Sequence, residues 1–475
     1  MSTIVVIGAG FSGTLTAVHL LRAWTGAALR VVLVNRSGTM ARGVAYGTRS
    51  PLHVLNVPVG RMSAFEDNPD DFLRFCRSID PYVLAIDFVP REWYGSYLEQ
   101  VLVTAGTSAQ HAALERIVDE AVAIELTGRQ TARVALLRGG AIECDRVVLG
   151  LGNYPPENPA IRNPGFYASG RYIRDPWSPG ALDGIRGNEP ILLVGTGLTM
   201  LDVVVDLAAR GHAGRLRAIS RRGLVPHAHR VGGAPPEHPS LPPRLFAQPL
   251  TVGRCLREIR RHIEALSHRG VDWRDTVAAL RPVTPTLWHA LSTTERSRFL
   301  RHARPYWEVH RHRAAPVPAS VMAEWLASGQ LIVQAGRLME CTERASFVEV
   351  EVRPRGNSTT ERYRVARVVN CTGPAGDTRT LRAPLLVHLR GAGLAVADPL
   401  GLGLELTTQG ALIDAEGRAS EILFHVGPFL KARDFEATAV PELRVHAARL
   451  AEHLCQSLKE RTAPVRQPLE QRTTA

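Results

Sequence analysis

The sequence predicts an α/β fold with two Rossmann-like units, because one pattern of residues occurs twice along the 475-residue chain. Residues 3–7 form a short β-branched run, which leads into GAGFSG, a helical stretch and a second apolar run at residues 29–34. The same order returns where an apolar run at residues 190–194 leads into GTGLTM. Continuous apolar runs are typical of buried parallel strands, and strand, helix and strand within about 30 residues form a βαβ unit.

The first glycine motif, Gly8-x-Gly10-x-x-Gly13, has the spacing of a dinucleotide-binding turn. Its first glycine permits the tight turn, its second lets the backbone approach a pyrophosphate, and its third lets the helix pack closely on the strand. The helical stretch predicted from Thr14 to about Trp24 supplies N–H donors to the phosphates at its N-terminus. We therefore predict that this unit binds a dinucleotide.

The end of the second strand departs from the usual pattern of such units. Asn35 and Arg36 stand where an acidic residue usually binds the ribose hydroxyls. An asparagine oxygen accepts a hydrogen bond without the charge assistance of a carboxylate. We expect these two residues to lie at the nucleotide and the ribose to be recognised differently in detail.

In the second motif, a methionine replaces the third glycine, so the helix is expected to pack less closely on its strand. The next strand ends in Ser220-Arg221-Arg222 instead of an acidic residue. A guanidinium can hold a 2′-phosphate bidentately, which favours NADPH over NADH, although surface arginines in an arginine-rich chain are the alternative. The predicted contacts of this nucleotide are Gly195, Thr196, Gly197, Leu198, Thr199, Arg221 and Arg222.

The charge of the chain excludes several classes of function. There are 57 Lys and Arg residues against 45 Asp and Glu, a formal net charge of +12, but the only lysines are Lys431 and Lys459. Neither lies in a phosphate-binding P-loop or in a motif that would form a Schiff base, so these two classes of protein are excluded. The basic residues are spread along the chain without an aromatic-basic platform, so no nucleic-acid partner is predicted.

Metal, disulfide and membrane signals are weak. The six cysteines include no CxxC pair. The pairs His227/His229 and His310/His312 lack a convincing third ligand, so no metal is predicted. No apolar run approaches the ~18 to 20 residues of a membrane helix. No basic region precedes the first apolar run, so a cytoplasmic location and no membrane partner are expected.

Two further segments have a strand that leads into a turn of small residues. Residues 147–152 read VVLGLG and end in Gly152, and residues 368–374 read VVNCTGP and contain Gly373. We interpret each as a point where the chain crosses between two nucleotide-binding domains, with the glycine close to the cofactor.

In this order the motifs resemble the two-dinucleotide flavoproteins, which include the class B flavin monooxygenases and the pyridine nucleotide-disulfide reductases. More narrowly, the chain is similar to a bacterial family of FAD/NAD(P)-binding proteins and to the N-hydroxylating class B monooxygenases. The resemblance runs nearly from end to end. It is carried by GAGFSG at 8–13, GVAYG at 43–47, HVLNVP at 53–58 with Met62, GTGLTMLD at 195–202, WEVHRHR at 307–313 and FEATAVP at 435–441.

The resemblance implies an FAD domain formed by residues 1–187 and 331–475, with an NAD(P)H domain and a helical extension inserted at residues 188–330. Residues 55–58 would lie against the isoalloxazine ring, and the segment from Gly427 to Thr438 would face the pyrimidine and ribityl side. The cofactor contacts implied beyond those of the second motif are Gly8, Gly10, Phe11, Ser12, Gly13, Asn35, Arg36, Gly43, Tyr46, Leu55, Asn56, Val57, Met62, Gly152, Gly373, Gly427 and Phe435.

Asn56 is the predicted catalytic residue, placed to hydrogen-bond the flavin edge or a bound oxygen species. The alternative for Asn56 is an asparagine that caps a turn. Arg311 and Arg313 are expected to hold a domain interface or a substrate carboxylate, with ordinary surface or interface arginines as the alternative.

The implied activity is that of an FAD-dependent monooxygenase that consumes NADPH and molecular oxygen through a C4a-(hydro)peroxyflavin. A small molecule with an amine or amino-acid nitrogen would be the substrate. Two alternatives stay open: an NAD(P)H dehydrogenase or reductase with a non-oxygen acceptor, and a non-catalytic nucleotide-binding protein. The departures at Asn35 and Met200 favour the last of these. The sequence does not indicate the oligomeric state.

Overall fold

The computed structural model describes residues 1–48, 50–230 and 241–462 and contains three sheets. Its strands, in chain order, are β1 (Ser2–Ile7), β2 (Leu29–Asn35), β3 (Ala112–Val118), β4 (Ala121–Leu126), β5 (Ala132–Leu136), β6 (Ala141–Cys144), β7 (Arg146–Leu149), β8 (Tyr172–Ile173), β9 (Ile191–Val194), β10 (Leu216–Ser220), β11 (Leu331–Glu343), β12 (Val348–Pro354), β13 (Glu361–Val365), β14 (Arg367–Asn370), β15 (Ala411–Ile413) and β16 (Ala419–His425).

The helices include a run of six between residues 252 and 327, which forms the predicted helical extension. Within the described ranges, no helix is long and apolar enough to cross a membrane. The α-helices are α1 (Phe11–Ala23), α2 (Gly43–Tyr46), α3 (Asp71–Ile79), α4 (Arg91–Ser108), α5 (Leu198–Ala209), α6 (Val252–Ser267), α7 (Trp273–Ala279), α8 (Thr284–Ala290), α9 (Thr293–Arg298), α10 (Arg304–Arg311), α11 (Pro316–Ala327), α12 (Pro384–Gly391) and α13 (Val440–Thr462).

The first sheet has the strand order β15-β16-β7-β1-β2-β3, and β1 pairs in parallel with both β2 and β7. Its central strands are continuous apolar runs because both of their faces are covered. Helices α1 and α13 pack together within one buried cluster, and the antiparallel sheet β4-β5-β6 shares a second cluster with this sheet. The N-terminal unit is therefore completed by the C-terminal strand β16 and helix α13.

The second sheet has the order β13-β12-β11-β10-β9-β14-β8, and β9, α5 and β10 form its βαβ unit. Two Rossmann-like units in an α/β fold were predicted, and the structure confirms them. The strand pairing differs from the predicted domain division, which gave residues 331–370 to the FAD domain. Because β11 pairs in parallel with β10 and β14 with β9, these residues belong to the second sheet. The domain boundaries themselves stay a prediction.

Truncation of one side chain of α13 tests this completion of the first unit. Leu454 is fully buried in the cluster that α1 and α13 share. We expect Leu454→Ala to lower the free energy of unfolding by about 2–5 kcal/mol, because the lost methyl groups leave a cavity. Urea unfolding followed by circular dichroism measures the change. Glu452→Ala, at an exposed position of the same helix, is the control; equal losses in both variants would contradict the packing.

Candidate functional site

The first glycine turn connects β1 to α1 and has no room for side chains. Gly8 has φ +101°, and a Cβ there would lie 2.5 Å from the carbonyl oxygen of Gly150. A Cβ on Gly13 would lie 1.9 Å from the carbonyl oxygen of Gly8. Gly10 is the N-cap of α1, no side chain caps the helix, and its first turn has no acidic residue. The helix N-terminus is therefore open to an anion.

This turn forms one wall of a cavity of about 480 Å³. The cavity brings together six of the predicted cofactor contacts and also residues that sequence reasoning missed, among them Asp119, Glu120 and Trp177. The six predicted contacts are Gly8, Gly10, Asn35, Arg36, Gly43 and Gly152.

Asn35 closes the loop that follows β2. Its amide nitrogen donates to the carbonyl oxygens of Ser37 and Thr39 at 2.9 and 3.0 Å, and its amide oxygen accepts from the N–H of Ala9 at 3.4 Å. The asparagine therefore ties this loop to the glycine turn with both ends of its side chain. A carboxylate could not donate to the two carbonyls, which gives a physical reason for the departure from the acidic pattern.

Asp119 lies beside this loop, just beyond the end of the neighbouring strand β3. Its carboxylate accepts from the backbone N–H groups of Glu120 at 2.7 Å and Arg138 at 3.3 Å. The only signal in the sequence was the acidic pair Asp119-Glu120 itself. It could be recognised only once β3 was known to pair with β2.

The segment that contains Asn56 is held from two sides. The N–H of Leu55 donates to the carbonyl oxygen of Val89 at 2.9 Å. The carbonyl oxygen of Asn56 lies 3.0 Å from Nε2 of His229. Burial lowers the pKa of His229 to about 4, so the ring is neutral at pH 7 and its Nε2–H donates to that oxygen. His229 thus anchors the backbone of this segment.

The remaining predicted flavin contacts lie outside the first cavity. Leu55 and Met62 are buried in the core of the first unit, and Val57 packs against it. Phe11, Ser12 and Gly13 are buried within α1. The side chain of half-buried Asn56 has no hydrogen-bond partner among the residues that the structure describes. The roles assigned to these residues stay predictions.

Tyr46, Gly427 and Phe435 also lie apart from this cavity. The Tyr46 ring packs against Tyr94 at 4.6 Å, and burial raises its pKa. The Phe435 ring stacks on Trp288 at 4.5 Å. A Cβ on Gly427 would lie 2.8 Å from the carbonyl oxygen of Leu151, so the chain passes close to the strand end at β7 here. Their contacts with a cofactor stay predictions.

The second glycine turn repeats the construction of the first. Gly195 has φ +116°, and a Cβ there would lie 2.2 Å from the carbonyl oxygen of Cys371. Gly197 is the N-cap of α5, again without a side-chain cap or an acidic residue in the first turn. Met200 is fully buried in the core between α5 and the second sheet, where it fills the position of the third glycine.

A second cavity, of about 830 Å³, opens at this turn. It brings together all seven residues predicted to contact the second nucleotide, together with Gly373. The guanidinium of Arg222 lies 5.1 Å from the Tyr306 ring centroid and donates to its hydroxyl at 3.3 Å. Arg337 and His312 also line the cavity and were missed, because they come from β11 and the end of α10. The predicted lining residues are Gly195, Thr196, Gly197, Leu198, Thr199, Arg221, Arg222 and Gly373.

Buried Glu436 connects α10 to the segment before α13. It has φ +80°, and its carboxylate accepts from Trp307 Nε1 at 2.8 Å and lies 3.4 Å from Arg311 Nε and 3.5 Å from His312 Nε2. Burial alone would raise the pKa of Glu436. The hydrogen bonds and positive charges of these neighbours outweigh burial and lower this pKa to about 2. The contact fits the interface role expected for Arg311. The charged carboxylate joins the helical extension to the C-terminal part of the first unit.

His227 and His310, one histidine from each predicted pair, lie together beside α7. The rings of His227 and His310 are 4.5 Å apart, and both pack edge-on against Trp273. In the described part of the chain, no group of three or more His, Cys, Asp or Glu residues could hold a metal ion. These histidines pack against an aromatic ring, which gives them a structural role.

Comparisons with known proteins agree with this geometry. Residues 5–154 match the model of a family described as FAD-NAD(P)-binding, and no curated protein matches the sequence. The L-lysine 6-monooxygenase from Pseudomonas syringae is 16% identical, with a TM-score of 0.65 over 98% of this chain and 100% of the other.

Two further solved structures are similar at the same level. The cadaverine monooxygenase of desferrioxamine biosynthesis from Erwinia amylovora, solved with FAD, is 13% identical, with a TM-score of 0.65 over 99% of this chain and 98% of the other. The ornithine N-hydroxylase from Kutzneria sp. 744, solved with FAD, NADP⁺ and L-ornithine, is 14% identical, with a TM-score of 0.63 over 97% and 99%. These likenesses confirm the predicted two-dinucleotide flavoprotein fold.

The residues of both cavities fit the nucleotides that the family description implies. Each cavity has an uncapped helix N-terminus and a glycine at a point where any side chain would meet backbone. The second cavity adds Arg221 and Arg222, which suit a 2′-phosphate. FAD in the first cavity and NADPH in the second are therefore compatible with the side chains present.

Substitution of one glycine in each turn separates the two nucleotide sites. We expect Gly8→Ala to abolish flavin retention, because its Cβ would overlap backbone and its φ disfavours alanine. We expect Gly195→Ala to weaken NADP⁺ binding while flavin stays bound. Flavin absorbance and calorimetric titration with NADP⁺ measure the two effects. Gly170→Ala is the control because it has open space at its Cβ. Loss of flavin in Gly195→Ala but not in Gly8→Ala would contradict the assignment.

Buried neutral histidines predict a loss of stability in mild acid. Burial lowers the pKa of His19, His229 and His425 to about 4, whereas an unfolded histidine titrates near 6.5. Between these values the unfolded chain binds more protons, so the free energy of unfolding falls as the pH falls from about 6.5 to about 4. We expect His425→Leu to flatten this dependence in urea titrations, and exposed His111→Leu to leave it unchanged. An unaltered slope in His425→Leu would contradict the prediction.

Proposed function

We propose that the protein is an FAD-dependent, NADPH-consuming monooxygenase that hydroxylates a nitrogen atom of a small amine or amino acid. The observation that carries the proposal is the presence, in one chain, of two glycine turns that each open into a separate cavity. The three similar solved structures, which are monooxygenases or N-hydroxylases of lysine, cadaverine and ornithine, support the reaction class. A cytoplasmic location is part of the proposal.

Two helix N-termini and two arginines bind the nucleotides. The N–H groups at the start of α1 bind the pyrophosphate of FAD, and those at the start of α5 bind that of NADPH. Arg221 and Arg222 bind the 2′-phosphate. When bound, FAD and NADPH supply two electrons, and O₂ supplies one oxygen atom to the substrate and one to water.

Asn56 is the residue that we place at the reacting atoms. His229 fixes its backbone carbonyl, while its side-chain amide is left without a partner among the described residues. An amide in that state can donate a hydrogen bond to the flavin edge or to an oxygen species next to it.

A disulfide reductase, which the same fold also accommodates, is disfavoured by the cysteines. Thiol chemistry needs a thiolate, and burial raises the pKa of the thiols in this chain. The value is about 12 for Cys76, Cys144 and Cys341, and Cys371 beside the second cavity is also raised. These thiols are protonated at neutral pH and unsuited to a dithiol relay.

Rapid-mixing absorbance tests the proposed activity. The flavin-loaded protein is reduced with NADPH and mixed with oxygenated buffer, with and without L-ornithine, L-lysine or cadaverine. We expect a transient absorbance band distinct from oxidised and reduced flavin, and one hydroxylated amine per NADPH with a suitable substrate, quantified by mass spectrometry. Direct reoxidation with stoichiometric peroxide under every condition, together with fast reduction of a quinone, would establish a dehydrogenase instead. A protein that binds no flavin would support the non-catalytic alternative.

Asn56→Ala probes the predicted catalytic residue within that assay. Loss of one oriented hydrogen-bond donor is expected to lower the ratio of hydroxylated product to peroxide at least about tenfold. Flavin content should stay unchanged. Asn188→Ala, at an exposed position away from both cavities, is the matched control. A product ratio equal to that of the parent protein would remove Asn56 from the mechanism.

A further inference from the structure

A cluster of buried charges joins the two nucleotide-binding units. The Nη1 and Nη2 atoms of Arg91, at the start of α4, each lie 3.1 Å from one carboxylate oxygen of Asp202 on α5. Nε of Arg91 donates to the carbonyl oxygen of Val54 at 2.9 Å. Only 14% of the Arg91 side chain and 11% of the Asp202 side chain are exposed. The two Nη atoms therefore bind across the interface to α5, while Nε holds the guanidinium to residue 54 of its own unit.

A second polar contact, between His53 and Asp206, lies one helical turn further along α5. Nε2 of His53 is 3.1 Å from Oδ2 of Asp206, and the hydroxyl of Ser50 donates to Oδ1 at 2.6 Å. Nδ1 of His53 is 2.7 Å from the hydroxyl of Thr48. The Trp177 ring packs against the His53 ring at 5.2 Å and lies 5.2 Å from the Arg91 guanidinium carbon. The aromatic ring covers both pairs on one side.

The position of the cluster connects the two candidate sites. Asp202 and Asp206 are four residues apart and lie on one face of α5, the helix whose N-terminus opens into the second cavity. On the other side, the N–H of Arg91 donates to the carbonyl oxygen of His53 at 2.8 Å. The chain then continues directly into residues 55–58, which are the segment placed at the flavin.

Asp202 and Asp206 are buried where the two units meet, so each carboxylate needs a polar or positively charged partner. An unpaired buried charge is strongly destabilising, and a bidentate pair forms in only one relative orientation of the two planar groups. Burial raises the pKa of Asp202 even though Arg91 and His53 lower it, which reflects how fully water is excluded. Any rotation of α5 away from residues 50–55 would separate both pairs at once.

We propose that Arg91, Asp202, His53 and Asp206 are positioning residues that fix the nucleotide-binding helix α5 against the flavin-facing segment 55–58. The proposal rests on the proposed function in one respect: the geometry thus fixed is the one in which NADPH is oxidised and FAD is reduced. The cluster sets the rate of that two-electron transfer without contacting either cofactor.

Asp202→Asn tests the proposal, because it removes the charge and keeps the shape of the side chain. In the absence of NADPH, we expect faster hydrogen–deuterium exchange in residues 53–58 and in α5. We expect the rate of flavin reduction at saturating NADPH to fall at least about tenfold, since small displacements of a reacting pair cost that much or more. Flavin content and the dissociation constant of NADP⁺ should stay within about twofold of the parent values.

Asp183→Asn is the matched control, because it breaks an exposed pair with Arg210 in the same unit. Ser50→Ala is the second variant if Asp202→Asn does not fold. It removes one hydrogen bond and no charge, and it should shift exchange in the same segments. Unchanged exchange and an unchanged reduction rate in a folded variant would overturn the proposal, as would a loss explained entirely by lower flavin content. Failure of the proposed hydroxylation leaves the exchange result unaffected, so the two failures are distinguishable.

Discussion

At the end of β1 the main chain passes so close to itself that neither Gly8 nor Gly13 has room for a side chain. The same contact recurs between Gly195 and the carbonyl of Cys371. Because both turns bring a helix N-terminus to the carboxyl edge of a parallel sheet, each unit presents N–H donors at one place. Each of the two cavities opens at one of these two backbone approaches.

The sequence was sufficient for features that depend on neighbouring residues. Both βαβ units, the helical extension and the part of the second cavity formed by residues 195–199, 221 and 222 follow from local sequence patterns. Particular contacts between residues far apart in the sequence were not predicted. The membership of residues 331–370 in the second sheet is one case, because an apolar run does not specify the strand beside which it lies. The pairing of Arg91 with Asp202, 111 residues away, is another.

Asn35 shows why a correct motif can still mislead in detail. Its departure from the acidic pattern was visible in the sequence, but its reason was not, because the partners of the side chain are backbone carbonyls of a loop. Glu436 is similar, since its positive φ and its partners on α10 arise from tertiary packing. Asn35 was singled out in the sequence and Glu436 was not, and the contacts of both came only from the structure. The role of Asn56 stays a prediction for the same reason.

The dependence of the first sheet on β16 and α13 also bears on how the protein is made. Strands β9 to β14 of the second sheet lie within one continuous stretch of chain, so they can assemble as soon as residues 191–370 have left the ribosome. The N-terminal unit is complete only when β16 pairs with β7 and α13 packs on α1. Until then one face of α1 lacks the helix that covers it in the folded protein. The unit that begins later in the sequence therefore has all of its strands available for pairing before the unit that begins earlier does.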